Sequence, residues 1–424
     1  MPTVSRNTWR KRSREQRAAW RAGWRTALQA AGLLALALAL AVAARPAPRA
    51  AQVNVPPPPP ASYARFAFGG NAAEIPAQFI GNLVFVPVRV NQSQPSLYQL
   101  DTTAAVSSTD PDRAAELGLP GNAPVTLELE GVQMQLPALP AMAKKNFAAQ
   151  VGRVYEGTLG QDFFANVVVE VDYARKTVRL YDPADYQYSG RGQSLPLTFS
   201  GGRPVVSAKF SLGARKPVEA GFVVNTALDA SVSISSRYAK AHNLHAAHSK
   251  KVSAAEQRME GEGDTVLGRL KVFEIGPYVV DAPIAEFSQS GEPAENDARI
   301  AGEIGGGMLR RFTVIFDLPH RRIIFDANSN MREEDRGDMS GIYVVAAGPG
   351  WKRLEVASVR PGGPGAAAGV HPGDVIAGID DEPAADFSLA ELRALFSEPG
   401  PAHKVLLERE GQTITVTLRM RRLL

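Results

Sequence analysis

Two short polar turns, each closing an apolar run, hold the residue types in this chain best suited to chemistry. They are Asp101-Thr102-Thr103, after Tyr98-Gln99-Leu100, and Asn225-Thr226-Ala227, after Phe222-Val223-Val224. A carboxylate held at a strand end can give and take a proton during a reaction, whereas an amide can do neither at any accessible pH. Asp101 therefore offers acid/base chemistry, and Asn225 offers only hydrogen bonds. Taken singly, Asp101 also reads as a turn carboxylate bonded to its own backbone. Other chemistries fare worse. The chain has no Cys, which excludes a thiolate nucleophile, a disulfide framework and any Cys-ligated metal site. His242, His245 and His248 are spaced by three, but they straddle a helix end without a fixed carboxylate nearby, which favours a solvated loop over a metal site. Ser200-Gly201-Gly202 lacks the residues that precede a serine nucleophile, and there is no G-x-S-x-G, His-Glu-x-x-His or P-loop pattern. No metal or cofactor is expected.

The elements that must position the two turns repeat along the chain. Beyond Ala61 the texture is all-β, with short apolar runs separated by Gly, Pro, Asn and Asp. Helical patterns are few: Asp112 to Leu119, Ser235 to Leu244 and Leu389 to Phe396. Each polar turn is followed by one of the first two. Further on, Leu159-Gly160-Gln161-Asp162-Phe163-Phe164 precedes Val168 to Asp172, and Ile304-Gly305-Gly306-Gly307-Met308-Leu309 precedes Thr313 to Asp317, with a glycine-to-aspartate spacing of 12 in both. Each aspartate leads into a second strand, Thr177 to Tyr181 or Arg322 to Phe325. Asp172 and Asp317 therefore read as hairpin positions without chemistry. The offset is 124 residues between Asp101 and Asn225 and 145 between Gly160 and Gly305. The second copy thus carries an insertion of about 21 residues, with the acidic stretch Phe287 to Asp297 as the place for part of it.

From about residue 80 to 327 this order of elements resembles the retropepsin-like aspartic proteases, specifically bacterial exported members in which two lobes precede a PDZ domain. The resemblance implies two β-barrel lobes in a pepsin-like bilobal arrangement, each with a strand ending in Asp-Thr-Gly. It places the catalytic positions at Asp101 and Asn225, with Thr102 and Thr226 hydrogen-bonding across the lobe interface. Such enzymes share one proton between two carboxylates, and Asn225 breaks that pair. The family's glycine is also replaced, by Thr103 and Ala227, and the Thr103 Cβ is expected to crowd the turn. Two rescues exist: Asp229 as a substitute acid, which shortens the run to Leu244 and fits the repeat less well than Asn225, or a homodimer that brings two copies of Asp101 together.

The segment from about Gly337 resembles a bacterial PDZ domain through Ser340-Gly341-Ile342, Leu354 to Val359, the run Ala368-Gly369-Val370-His371-Pro372-Gly373-Asp374-Val375-Ile376, the helix Leu389 to Phe396 and the strands Val405 to Arg409 and Thr413 to Leu418. A PDZ domain adds an extended peptide to a sheet edge and captures its C-terminal carboxylate on loop N–H groups. The resemblance assigns that loop to Ser340, Gly341 and Ile342. The apolar pocket falls to residues among Ile342, Val344, Leu389, Leu392 and Leu395, and roughly half of these leucines are expected in the core by their helical spacing.

Charge narrows the partners. Residues 1 to 44 hold eight Arg or Lys against Glu15 alone, so the +4 of the whole chain belongs to the leader and the remainder is slightly acidic. Nucleic acid is not an expected partner. The basic stretch to Arg25 and the apolar run Ala27 to Ala44 read as an export signal, with Ala41-Val42-Ala43 and Arg49-Ala50-Ala51 as cleavage patterns. An uncleaved anchor is the lesser reading, because the run is short and Ala-rich. Pro56 to Pro60 is a stiff spacer. The expected organisation is a signal peptide or anchor over 1–51, a Pro-rich linker over 52–62, lobes over 63–190 and 191–330, and a PDZ domain over 338–424. The expected function is an exported, periplasmic or cell-envelope protein that binds peptides or protein C-termini on a catalytically impaired protease scaffold. The alternative is an active aspartic endopeptidase using Asp101 with a second acid.

Overall fold

The structure is a computed structural model that describes residues 64–66, 73–144, 146–213, 215–244, 252–254, 265–288, 297–400 and 402–424. The leader, the proline run, His245, His248 and most of the expected insertion fall outside the described residues.

Alternation of apolar and polar residues produces most of the strands. Val125–Leu129 and Val132–Leu136 bury every second side chain, and they pair as a hairpin with Leu127 opposite Met134. Near-continuous apolar runs such as Val168–Asp172 and Phe312–Asp317 are instead buried on both faces. Helices are short; the longest among the described residues is Leu389–Phe396, opened by a Ser388/Glu391 capping box.

The strands form two outer sheets and one shared sheet. In the first outer sheet, Ser96–Leu100 runs parallel to Gly157–Leu159. In the second, Val218–Val224 runs parallel to Ile300–Ile304. Between them lies a six-stranded sheet to which both halves contribute, in the order 193–196, 322–327, 312–317, 168–172, 177–181, 73–75. Here the two repeat hairpins meet antiparallel: Val169 faces Phe316, Glu170 faces Ile315 and Val171 faces Val314. With the repeat offset of 145 residues, Val169 pairs with the counterpart of Val171 and Val171 with the counterpart of Val169. The pairing is therefore symmetric about Glu170 and Ile315, as a local two-fold axis demands. The fold is mainly β and two-lobed, and one apolar core runs through both lobes.

The C-terminal unit has its own core, built on residues such as Leu354, Ile376, Leu392 and Leu407. Its strands follow the order 342–347, 353–359, 375–379, 403–409, 412–418, so Ile342–Ala347 is an edge strand. The helix Leu389–Phe396 packs against that strand.

Candidate functional site

The two polar turns sit at equivalent places. Each leaves the end of a strand that runs parallel to the strand before a glycine, and the amides of Asp101 and Asn225 donate to Leu159 O and Ile304 O at 3.0 and 2.9 Å. Each glycine is needed for close approach. A Cβ on Gly160 would lie 2.7 Å from Ala104 O, and one on Gly305 would lie 2.6 Å from Leu228 O. Between the turns, Thr102 and Thr226 are fully buried. The Thr102 hydroxyl donates to Val224 O (2.6 Å) and accepts from Thr226 N, while the Thr226 hydroxyl donates to Leu100 O (2.8 Å) and accepts from Thr102 N. Every bond crosses from one lobe to the other.

The surroundings of Asp101 and Asn225 then diverge. Asp101 Oδ1 accepts from Thr103 N (2.9 Å), Ala104 N (3.1 Å) and the Thr103 hydroxyl (2.7 Å). Thr103 therefore does not crowd the turn as expected, because its hydroxyl folds back as a third donor. Asp101 Oδ2 faces the Lys144 ammonium at 3.3 Å. That ammonium also donates to Gln99 Oε1 and lies over the rings of Phe147 and Tyr155. In the second lobe, Asn225 Oδ1 accepts from Ala227 N (2.8 Å) and its Nδ2 donates to Glu303 Oε2 (2.8 Å), whose other oxygen pairs with Arg203 (2.9 Å). Asp229, the possible substitute acid, is spent on the first lobe's hairpin turn, where its carboxylate accepts from Asn82 N (2.7 Å). Asp172 accepts from Ala174 N and Arg175 N within its hairpin turn.

Behind each turn a buried serine bonds a carboxylate. Ser107 donates N–H and hydroxyl to Asp162, whose pKa burial raises above the usual carboxylate value against the lowering effect of those bonds. In the second lobe the counterpart of Asp162 is Gly307, where a Cβ would lie 2.6 Å from Ser231 Oγ. Ser231 turns instead to Asp335, in the strap leading to the C-terminal unit, at 2.6 Å. The same carboxylate pairs with the fully buried Arg311 (2.8 Å) and accepts from Ile284 N.

In the C-terminal unit the expected carboxylate loop is occupied from within. Ser340 N and Gly341 N donate to the two oxygens of Asp338 (2.9 and 2.7 Å), and Ile342 N donates to Ser340 Oγ (3.0 Å). Burial raises the pKa of Asp338 against these donors. Ile342 and Val344 point into the core, and Leu392 is core rather than pocket. Leu389 packs on that core near Gly152 of the first lobe, where an added Cβ would lie 3.0 Å from Leu389 Cβ. His242 stacks on Tyr238.

Comparison with known proteins bears on one unit firmly. Residues 355–409 match the PDZ domain family. The C-terminal unit is a PDZ domain. No curated protein matches the chain. Among solved structures, a photosystem II D1 C-terminal processing protease aligns at 28% identity over 20% of this chain and 23% of its own, with a TM-score of 0.19. An aspartic proteinase from Irpex lacteus aligns over 62% of this chain and 99% of its own at 12% identity (TM-score 0.34). Basic 7S globulin from soybean aligns over 61% and 97% at 11% identity (TM-score 0.35). The chain spans about a quarter of the first of these and nearly the whole of the other two.

Lobes and PDZ domain line an open cleft of about 1020 Å³. Thr103, Lys144, Asn225 and Glu303 line it from the lobes, and Tyr343 and Arg393 from the PDZ domain. The turn carrying Asp101 and the groove side of the PDZ domain thus open on one space. Lys144, Glu303, Asp335 and Asp338 are the residues around these turns that the sequence did not single out. Only Glu303 had a signal: it is an acid in an otherwise apolar strand, where the first copy of the repeat has Thr158.

Proposed function

We propose that this chain is an exported, cell-envelope peptide- or protein-binding protein, built on an aspartic-protease-like two-lobed frame that does not hydrolyse peptides, with a PDZ domain as a second peptide-binding surface. The observation that carries the reading is the mismatch at the lobe interface. Asp101 faces an ammonium at 3.3 Å where a proton-sharing partner is needed, and the equivalent position holds Asn225, committed to Glu303. One carboxylate without a second acid can neither activate water nor protonate a scissile carbonyl in the coupled way such hydrolysis requires. Asp101, Asn225, Thr102 and Thr226 then act as a binding and lobe-locking constellation. The cleft supplies concave space with polar groups of both signs, suited to an extended peptide. Export is supported by the basic and apolar pattern of residues 1 to 44.

The test is retention. The immobilised full chain is offered a mixed peptide pool at pH 7, and bound material is eluted and weighed by mass spectrometry. Intact peptides enriched on the protein are the expected result. An eluate no different from that of a blank support would contradict the reading.

A further inference from the structure

The PDZ edge strand Ile342–Ala347 has a free side, and an extended peptide added to a PDZ domain pairs there, between strand and helix. In this chain something already lies against it. The short first-lobe helix Phe147–Val151 packs on this strand. At its end Gly152, in the left-handed region at φ 77°, comes so close that an added Cβ would lie 3.0 Å from Leu389 Cβ and 3.6 Å from Ala346 Cβ, touching helix and strand together. Arg393, on the groove side of the PDZ helix, lies over the Tyr343 ring and closes the arrangement. One guanidinium nitrogen donates to Gln150 O (2.8 Å) and another to Val344 O (2.9 Å), so one side chain clips the first-lobe segment to the edge strand.

We propose that Phe147–Gly152 is an intramolecular plug in the PDZ groove, which an extended peptide ligand must displace in order to pair with Ile342–Ala347. The proposal rests on the peptide-binding reading of the PDZ domain and adds its regulation. Two features make the plug a competitor rather than a fixed wall. The segment makes no strand pairing with the edge, so a peptide that does pair gains backbone hydrogen bonds the plug lacks. Two of the three loop N–H groups that would hold a ligand's carboxylate, those of Ser340 and Gly341, are meanwhile taken by Asp338, an internal substitute that a free C-terminus can replace. The plug also reaches the interlobe site. Phe147 N donates to Lys144 O at 3.3 Å, and Lys144 pairs with Asp101, so displacing the segment pulls on the cation that faces Asp101. Binding at the PDZ domain is thereby coupled to the cleft.

The chain has no cysteine, so an engineered pair reports cleanly. In the double variant Gly152→Cys with Ala346→Cys, the 3.6 Å separation lies within the Cβ spacing of a disulfide, about 3.5–4.5 Å, while the left-handed φ and the 3.0 Å approach to Leu389 Cβ make it a strained pair. The full-length variant is compared oxidised and reduced, with Arg393→Ala as an opening variant and thermal unfolding as the check on folding. The probe is a fluorescent pool of random heptapeptides with free C-terminal Leu, Val or Ala, beside the same pool amidated. The expected result is crosslinking under oxidation, no preference of the oxidised form for the free-carboxylate pool over the amidated one, and recovery of that preference on reduction. Arg393→Ala should bind more tightly than the unaltered chain, by about tenfold if the plug leaves about one molecule in ten open. A preference for the free-carboxylate pool in the crosslinked form equal to that of the reduced form, or an Arg393→Ala variant that binds that pool no more tightly than the unaltered chain, would overturn the plug. Crosslinking with no peptide retained by any form would instead overturn the peptide-binding reading.

Discussion

The two lobes carry the same frame and use it differently. Both end a parallel strand in a polar turn over a glycine, both lend a threonine to the central bonds, and both place a serine six residues after the turn's first residue. The first lobe is self-sufficient: Ser107 bonds Asp162 of its own lobe, and Asp101 is held by Lys144 of its own lobe. The second lobe has exchanged those acids. Gly307 stands where Asp162 would, Asn225 where Asp101 would, and the missing carboxylate behind the turn comes from Asp335 in the strap. What holds the shared frame is the threonine bonds and the packing of turn on glycine, and neither needs an ionisable group. The exchange also ties the approach to the PDZ domain into the second lobe's core.

The largest effect that would break this comparison lies at the strap. Asp335→Ala leaves the buried Arg311 cation without its partner and should cost about 3–5 kcal/mol in denaturant unfolding. Asp162→Ala in the first lobe strands neutral donors only, and should cost less, about 1–3 kcal/mol. The reverse order would mean that the strap is an accessory rather than a replacement. Next come the central hydroxyls. Thr102→Val and Thr226→Val each lose a buried donor and leave a backbone N–H unpaired, for about 1–3 kcal/mol apiece, with the double variant costing less than the sum.

A pH series sharpens the difference further. The folded-state pKa of Asp162 is raised by burial, so its contribution is full below the unfolded value of about 4 and declines as pH rises through the raised folded value. The stability gap between the unaltered chain and Asp162→Ala should therefore be widest near pH 3 and narrower at neutral pH in thermal unfolding. The smallest effect is expected at the first hairpin. Asp172 works through its backbone bonds, and its ion-pair partner Arg175 is largely exposed, so Arg175→Ala should change stability by no more than about 0.5 kcal/mol.

What the sequence showed and what it hid follow from the range of the interactions. The repeat, the two turns, the threonines between them and the PDZ run are local patterns carried by spacing, and the helix Leu389–Phe396 and the strand Thr177–Tyr181 were legible to the residue. Lys144 was not, because it meets Asp101 only through the fold, from a loop 43 residues away with no periodicity. Asp335 and Asp338 were hidden for the same reason, one by a contact 104 residues back to Ser231 and the other by a turn that resembles any Asp-x-Ser. Thr103 misled in another way. A β-branched residue where glycine is expected reads as a clash, yet its hydroxyl found the carboxylate beside it.

The central claim, that the lobes bind without cutting, is tested most directly by cleavage. The full chain and Asp101→Ala are incubated with a diverse peptide mixture from pH 3 to 7, and the products are read by mass spectrometry. The account predicts no cleavage by either protein across the range. Cleavage by the unaltered chain that vanishes in Asp101→Ala would contradict it and require a second acid, from Asp229 or from a partner copy's Asp101.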